Sequence, residues 1–216
     1  MKTLAETFLS SDEQQEVTRA VHAAEKMTSG EIVPMVVSES HSYPMAAVVG
    51  GVFFALPAAL LSARLFGALL WIGTDNMWLF LAFFLIYYFI AHQSVQRLPK
   101  LKRYFFSPER ANAAVQEAAA AAFFMESLHN TKAANGILLY ISVFEQRVWV
   151  LGDSGINEKI DQQVWQEIVD LVTKGIKDGR RCEVICEAIT RIGHILQDSF
   201  PIEKDDKDEL HNLIIR

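Results

Sequence analysis

The sequence predicts an α/β domain that is interrupted by a membrane-spanning helical hairpin at about residues 45–91. Two observations carry this prediction. The chain has 216 residues, of which 51% are hydrophobic, but from Ser40 to His92 only Arg64 and Asp75 are charged. The segments on either side hold nearly all of the charge, and their apolar residues recur at helix or strand spacing.

The first apolar run extends from Met45 to Ala63, 19 residues without a charge. As a helix it would reach about 28 Å, close to the thickness of a bilayer core. A proline such as Pro57 is tolerated in a lipid-spanning helix, and Gly50 and Gly51 would permit the close approach of a second helix.

The second run, Met77 to Ala91, is short and reaches span length only if it extends to about Gln96 or starts near Leu69, which would include Asp75. Residues 64–76 between the runs are interpreted as the hairpin loop. The alternative is a buried apolar hairpin of a soluble protein. It is disfavoured because neither run shows the polar periodicity that a soluble helix needs.

Basic residues predict the orientation of the hairpin. Arg64 is the one basic residue in the loop, whereas four follow the second run: Arg97, Lys100, Lys102 and Arg103. The positive-inside rule then places both flanking segments in the cytoplasm and the loop outside. We expect a multi-pass protein of the inner (cytoplasmic) membrane whose soluble part faces the cytoplasm.

The flanking segments predict one discontinuous domain, residues 8–44 with 98–201. Ser10 and Glu13 have capping-box spacing at the start of a first helix, and Glu31 to Ser38 is strand-like, with Pro34 favouring a sheet edge. The later predicted elements are a helix at 108–129, strands at 137–143 and 147–151, and helices at 161–177 and 181–198. The strand before the hairpin must pair with the two after it, because an isolated pair of strands is marginal. Residues 202–216 are expected to form an acidic C-terminal tail, and within it Glu203 to Glu209 is expected to be solvated and frayed.

Three stretches resemble the TPM domain family. They are Ala24–Val33 around Ser29-Gly30-Glu31, Asn135–Ser142 with its Asn-Gly turn, and Arg147–Ile156 followed by Asp161. Phe200-Pro201 resembles the end of a membrane-inserted branch of that family.

The resemblance implies a mixed-sheet α/β sandwich. It also implies one of several activities, since family members include acid phosphatases, calcium-binding proteins and accessory or repair factors. The glycine loop here is Gly152-Asp153-Ser154-Gly155, where the commoner family pattern is Gly-Tyr-Gly, and a hairpin occupies the place of a helix.

Asp153, Glu158 and Asp161 are the candidate metal ligands. They lie within nine residues beside the glycine loop, and a hard cation such as Ca²⁺ or Mg²⁺ takes several oxygen ligands. The alternative is that Asp161 caps a helix and Asp153 makes a turn. Glu31 has two interpretations as well: an exposed acid at a strand end, or an acid approaching the same sheet edge.

The cysteines and histidines do not predict a zinc site. Cys182 and Cys186 share a helical face, where they are interpreted as small packing residues, and the six histidines are scattered. No nucleophile elbow, phosphate-binding loop or Cys-x5-Arg motif is present in the sequence, so no catalytic residue is named. The net charge of −6 and the lack of a basic stripe argue against nucleic-acid binding.

Two functions from different classes follow. The first is a membrane-anchored binding or accessory protein in membrane-protein upkeep, whose partners are the bilayer and a membrane or cytoplasmic protein. The second is a phosphatase-like hydrolase dependent on a divalent metal, whose acids are Asp153, Glu158 and Asp161.

Overall fold

The computed structural model describes residues 3–131, 133–202 and 212–216. The chain divides into two compact units. One unit combines Met1–His41 with Ala111–Arg216, and the other is Ser42–Arg110. The boundaries of the second unit lie outside the predicted hairpin limits of 45 and 91.

The helices and strands follow in chain order. They are α1 (Ser11–Glu25), β1 (Glu31–Val37), α2 (Pro44–Leu69), α3 (Met77–Arg97), α4 (Pro99–Lys102), α5 (Pro108–Met125), β2 (Gly136–Ser142), β3 (Arg147–Gly152), α6 (Ser154–Lys159), α7 (Gln162–Lys177), α8 (Arg181–Ser199) and β4 (Ile214–Ile215). Short 3₁₀ turns occur at Arg103–Phe105 and Leu128–Asn130.

A four-stranded mixed sheet of order β3-β2-β1-β4 forms the centre of the first unit. β1 pairs in parallel with β2 and with β4, while β2 and β3 form an antiparallel hairpin. The predicted mixed α/β fold and the pairing of β1 with β2 are therefore confirmed. All seven residues of both β1 and β2 are buried, as expected for strands covered on both faces.

Helices cover both faces of the sheet. The alternation of side chains along each strand divides the core in two. On one face Ile32, Val36, Ile137, Leu139, Ile141, Val148 and Val150 pack with residues of α1, α7 and α8. On the other face Val33, Met35, Val37, Leu138 and Tyr140 pack with Val115, Ala119 and Phe123 of α5.

The first helix begins as the sequence predicts. The Ser10 hydroxyl accepts from the Glu13 backbone N–H at 3.3 Å, and the Glu13 carboxylate accepts from the Ser10 N–H at 2.7 Å. These two bonds satisfy donors that a helix start leaves without partners. Hydrogen bonds from Ser10 to the Glu13 carboxylate lower the pKa of Glu13. The backbone N–H of Ser10 has the largest effect and its hydroxyl the next largest.

The end of the chain differs from the expected acidic tail. Ile214 and Ile215 form β4, in register with Met35 and Val36 of β1. The Arg216 N–H donates to the Val36 carbonyl at 2.9 Å. β-Branched residues beside a sheet edge gain ladder hydrogen bonds, so the last residues of the chain form a strand that the sequence did not predict. The acidic residues 203–211 lie outside the described residues.

The edge position predicted from Pro34 is explained by this register. The Val36 carbonyl is directed at β4, and Pro34, two residues earlier, shares that orientation. The pairing of β1 with β4 begins only at Met35. The missing N–H of Pro34 therefore breaks no described ladder bond.

Residues 152–155, predicted as a loop, are partly helical, because α6 begins at Ser154. The helix predicted to end near His129 ends at Met125. Ser127 follows with a left-handed backbone, φ 60°, and such a residue ends a helix.

The second unit contains two long apolar helices, α2 with 26 residues and α3 with 21. Both are long and apolar enough to cross a membrane. α2 extends through Arg64 to Leu69, so the turn between the two helices is shorter than the predicted loop of residues 64–76. α3 extends past the predicted end at Ala91 to Arg97. The Asn76 side chain caps α3 by accepting from the N–H groups of Trp78 and Leu79.

Small residues line the face of α2 that packs on α3. Gly51 has no room for a Cβ, which would lie 2.9 Å from the Tyr88 ring. The Ser62 and Tyr87 hydroxyls share a hydrogen bond of 2.9 Å. The outer faces are apolar and exposed, with Leu61 72%, Leu85 66% and Phe89 67% accessible. This is the packing expected of helices surrounded by lipid.

Candidate functional site

The candidate site lies at one end of the strands, where β1 and β2 begin and β3 ends. We call this end of the sheet the sheet edge. Glu31 is in register with Gly136, and Ile137 is in register with Gly152. The Asp153 N–H donates to the Gly136 carbonyl at 2.9 Å. Glu31 and Asp153 therefore flank the start of β2, although they are far apart in the sequence.

Buried polar side chains gather at this edge. Thr28, Glu31 and Asn135 are buried, with 1%, 6% and 4% of their surface exposed. The Thr28 hydroxyl donates to the Phe200 carbonyl at 2.6 Å, and the Asn135 amide donates to the Ser29 carbonyl. Buried polar groups are costly without partners, so these bonds fix the junction between α1 and β1. We call Thr28, Glu31, Asn135 and Asp153 the sheet-edge cluster.

Asp153 has one carboxylate oxygen with a hydrogen-bond partner and one without. Its Oδ1 accepts from the Ser154 N–H at 2.6 Å and caps α6. Its Oδ2 is buried and has no hydrogen-bond partner within the part of the chain that the structure describes. A buried carboxylate oxygen in this condition needs an explanation, such as a bound cation or water.

Backbone carbonyl oxygens approach the same helix start. A Cβ on Gly155 would lie 2.8 Å from the Ala134 carbonyl oxygen and 2.9 Å from that of Ala133. Only glycine fits this approach. Ala134 has a left-handed backbone, φ 49°, which is uncommon outside glycine. Carbonyl and carboxylate oxygens are the ligands that hard cations prefer.

The three predicted metal ligands are placed differently. Asp161 is an exposed cap of α7 whose carboxylate accepts from the Gln163 N–H at 2.9 Å. Glu158 is exposed on α6. Their ligand atoms do not form a group with those of Asp153 in which all lie within 4.8 Å of one another, among the residues described. The capping interpretation of Asp161 is confirmed. Asp153 also caps a helix, where a turn was expected. The metal site stays a prediction, in which Asp153 is the best-placed ligand.

The position of Glu31 differs from one of its two interpretations from the sequence. The interpretation as an exposed strand-end acid was wrong, because the side chain is buried. The parallel register with β2 brings Glu31 to the edge that also holds Asp153. A strand with no polar position after its first residue was the signal for this burial, since such a strand is covered on both faces.

Comparison with known proteins assigns the region that contains the β2–β3 hairpin. The family model of the TPM domain matches residues 106–195. This part of the chain is similar to the TPM domain. The match includes Asn135, Asp153 and Asp161, whereas Glu31 lies before it.

A solved structure shares the fold of this chain. It is the NMR structure of the BA42 protein from the psychrophilic bacterium Bizionia argentinensis, with a TM-score of 0.59 and 22% sequence identity. The alignment covers 96% of this chain and 94% of that one. No curated protein matches the chain.

A second buried acid lies at the opposite edge of the sheet. Glu145, 3% exposed, sits in the turn between β2 and β3. Its carboxylate accepts from the backbone N–H groups of Ser40 and His41 at 3.0 and 3.3 Å, and from the Ser142 hydroxyl. We call this arrangement the Glu145 clasp. It fixes the segment that leaves β1 towards the apolar helices.

The clasp was missed in the sequence because Glu145 stands in a polar turn, where exposure is the usual outcome. Tyr140 extends the arrangement, since its hydroxyl lies 3.2 Å from the Ser40 hydroxyl. Burial raises the pKa of Tyr140 above its usual value. The Glu145 carboxylate is the acceptor in all three of these hydrogen bonds, so its role is to hold the chain.

Proposed function

We propose that this chain is a membrane-anchored TPM-domain protein that binds a protein partner and assists the upkeep of membrane proteins, without turnover of its own. The observation that carries the proposal is the exposed apolar surface of α2 and α3. Side chains such as Leu61 and Phe89 have most of their surface exposed. A lipid environment removes that surface from water, whereas a soluble monomer rarely exposes so large a patch.

The orientation follows from charge. Basic residues cluster at and beyond the end of α3, whereas Arg64 is the one basic residue in α2 and the inter-helix turn. In the inner membrane this distribution keeps the TPM domain in the cytoplasm and leaves the turn outside. A partner would then be a cytoplasmic protein or the cytoplasmic side of a membrane protein.

Labelling of single cysteines tests the anchor and its direction. In a Cys182→Ala, Cys186→Ala background, Thr74→Cys places a thiol in the exposed turn and Glu167→Cys places one on the exposed face of α7. A membrane-impermeant maleimide should label position 74 in intact cells and position 167 only after lysis. The reverse pattern would invert the orientation. Release of the protein by alkaline carbonate would exclude the anchor.

The accessory role is supported by the lack of a complete catalytic arrangement. The sequence has no nucleophile elbow and no phosphate-binding loop with lysine. In the described residues the one group of three potential metal ligands within 4.8 Å of one another lies outside the sheet-edge cluster.

Cross-linking in membranes, followed by purification in mild detergent, tests partner binding. A membrane protein should be captured by the intact chain and lost when 43–106 is replaced by a glycine-serine linker. Capture that is equal with and without the hairpin would remove the membrane from the proposal.

A divalent-metal-dependent phosphatase is the second candidate. The observation that favours it is the buried Asp153 Oδ2, which has no hydrogen-bond partner within the described residues. Ca²⁺ or Mg²⁺ would give this oxygen a partner. Glu158 and Asp161 would have to contribute through a change in α6 or through water.

Hydrolysis of a generic phosphate ester, with Ca²⁺, Mg²⁺ or a chelator, separates the two candidates. Asp153→Asn and Asp161→Asn remove charge but keep a side chain that can cap a helix, and Glu167→Gln is the matched control. Metal-dependent turnover that both Asn variants abolish would establish the enzyme and refute the accessory reading. Absence of turnover supports the accessory role.

A thermal shift tests the metal independently of activity. If Asp153 binds a cation, Ca²⁺ or Mg²⁺ should raise the melting temperature of the wild type and not that of Asp153→Asn. Equal melting curves with and without both metals would refute this metal site.

A further inference from the structure

Two cysteines and a carboxylate meet between α1 and α8. Cys182 and Cys186 lie one helical turn apart on α8, and Glu16 lies on α1. The ligand atoms of these three residues are all within 4.8 Å of one another. We call them the thiol cluster. The sequence places the cysteines on one helical face but gives no sign of the third residue.

Close packing of the two helices creates this meeting. A Cβ on Gly193 would lie 2.8 Å from the Cβ of Ala24, so α8 approaches α1 closely there. Nearer the start of both helices, the Cys182 sulfur lies 3.7 Å from the Glu13 carbonyl oxygen. The carboxylate of Glu16, one turn further along α1, then reaches the sulfur pair.

The environment of the sulfurs is that of protonated thiols. Both cysteines are free. Burial raises the pKa of Cys182 to about 12, and the neighbouring Cys186 and Glu16 act in the same direction. Burial raises the pKa of Cys186 as well. A cation that binds both sulfurs must therefore displace two thiol protons.

We propose that Glu16, Cys182 and Cys186 form a three-ligand site for a thiophilic divalent cation, with Zn²⁺ the best match. Two thiolates and one carboxylate are zinc ligands, whereas Ca²⁺ and Mg²⁺ require oxygen. Binding forms two metal–sulfur bonds and one metal–oxygen bond, and the two thiol protons pass to solvent. A water molecule fills the fourth position.

The geometry needs only small rotations of the side chains. Tetrahedral zinc with Zn–S bonds of about 2.3 Å brings two sulfurs to about 3.8 Å from each other. Cysteines four apart on a helix have Cβ atoms about 5–6 Å apart, which allows that distance. Cys182 is buried, Cys186 is half-buried and Glu16 is exposed. Solvent therefore reaches the cluster from the side of Glu16.

Metal titration of the full chain in mild detergent tests the site. With a phosphine reductant present, Co²⁺ or Cd²⁺ should produce a thiolate-to-metal charge-transfer band that saturates at one ion per chain, and Zn²⁺ should bleach the Co²⁺ band. This band reports sulfur ligands alone, so the oxygen ligands around Asp153 do not contribute. Asp153→Asn should leave it unchanged.

Three variants decide the assignment. Cys186→Ser, at a half-buried position, should abolish the band, and Cys182→Ser should do the same. Glu16→Gln should weaken binding at least tenfold, while the matched control Glu167→Gln should bind like the wild type. Circular dichroism checks that each variant is folded. The proposal is overturned if the wild type gives no band, or if folded Cys186→Ser or Glu16→Gln binds as tightly as the wild type.

Discussion

At the scale of single residues, the Glu145 clasp shows how one buried acid can organise two distant segments. Its carboxylate accepts two backbone N–H groups from the segment after β1 and one hydroxyl from β2. Hydrogen bonds to a charged acceptor are stronger than neutral ones. Their loss would leave the partly buried N–H groups of Ser40 and His41 and the buried Ser142 hydroxyl without this acceptor.

Glu145→Ala should lower the free energy of unfolding by about 3 kcal/mol, because the N–H groups of Ser40 and His41 lose their acceptor. Glu145→Gln keeps one acceptor oxygen and should cost about 1 kcal/mol. Urea titration in detergent measures both. The exposed control Glu117→Ala should stay within about 0.5 kcal/mol of the wild type. Equal losses in the Ala and Gln variants would contradict this role.

Glu13 makes stability depend on pH at the start of α1. Its folded pKa lies below its ordinary value of 4.5, since the ionised carboxylate accepts from Ser10. The stabilisation is therefore present above pH 4.5 and is lost as the pH falls through the folded pKa. Glu13→Gln keeps the capping geometry without the charge. Its melting temperature should lie below that of the wild type at pH 7, and the difference should shrink below pH 4.5. A difference that is constant from pH 7 to pH 3 would contradict the role of the charge.

Sequence reasoning at this scale found residues whose role depends on near neighbours. The N-cap residues of α1, α3 and α7 are Ser10, Asn76 and Asp161. Ser10 and Asp161 were predicted as caps, and both predictions are confirmed. Glu31 and Glu145 depend instead on strand register and on contacts across the chain. No local pattern encodes the 105-residue separation between Ser40 and Glu145.

At the scale of elements, β4 is the addition that the sequence did not predict. Ile214 and Ile215 form a run too short to distinguish from the end of a polar tail. The strand exists because β1 offers an open edge on that side. The Arg216 side chain adds an ion pair with Glu126 at 2.5 Å.

Removal of residues 212–216 should expose the edge of β1. The Ser38 N–H, which donates to the Arg216 carbonyl at 2.7 Å, should then exchange with deuterium much faster. The Glu31 N–H, bonded to the Asn135 carbonyl at the other end of β1, is the internal control and should keep its rate. Unchanged exchange at Ser38 would show that β4 does not protect the edge in solution.

The longer elements were predictable because their apolar spacing repeats over several turns. α7 and α8 begin within one residue of their predicted starts at 161 and 181. The predicted end of α2 was less accurate, because Arg64 was interpreted as the start of a loop. α2 continues past Arg64 to Leu69. If α2 spans a membrane as proposed, the long Arg64 side chain can carry its charge to the membrane surface.

At the scale of the whole molecule, the first compact unit accepts its long insertion at a single place. The Glu145 carboxylate bonds to His41, just before the insertion, at 3.3 Å. Arg147, two residues later, bonds to Asn112, just after it, at 2.7 Å. Both ends of the interruption are therefore attached to the same β2–β3 turn.

Replacement of residues 43–106 by a short glycine-serine linker should give a folded, soluble domain. The reason is that His41 and Asn112, which lie on either side of the replaced segment, both bond to the β2–β3 hairpin. The product keeps Ser107, whose hydroxyl accepts from the Arg110 N–H at 3.3 Å. Circular dichroism and dispersed amide resonances would report the fold. A Glu145→Ala version of the same product is the matched destabilised control. An unfolded parent would mean that the apolar helices belong to the core.

The separation of β1 from β2 imposes an order on biosynthesis. β1 ends at Val37 and its parallel partner begins at Gly136, with both apolar helices between them. At about 5–20 residues per second, the nascent β1 waits on the order of ten seconds for its neighbour. The apolar helices leave the ribosome during this interval and can enter the bilayer first. If α2 and α3 span a membrane as proposed, closure of the sheet follows their insertion, and a chain whose apolar helices stay outside the membrane would keep an unpaired apolar strand open to chaperones and proteases.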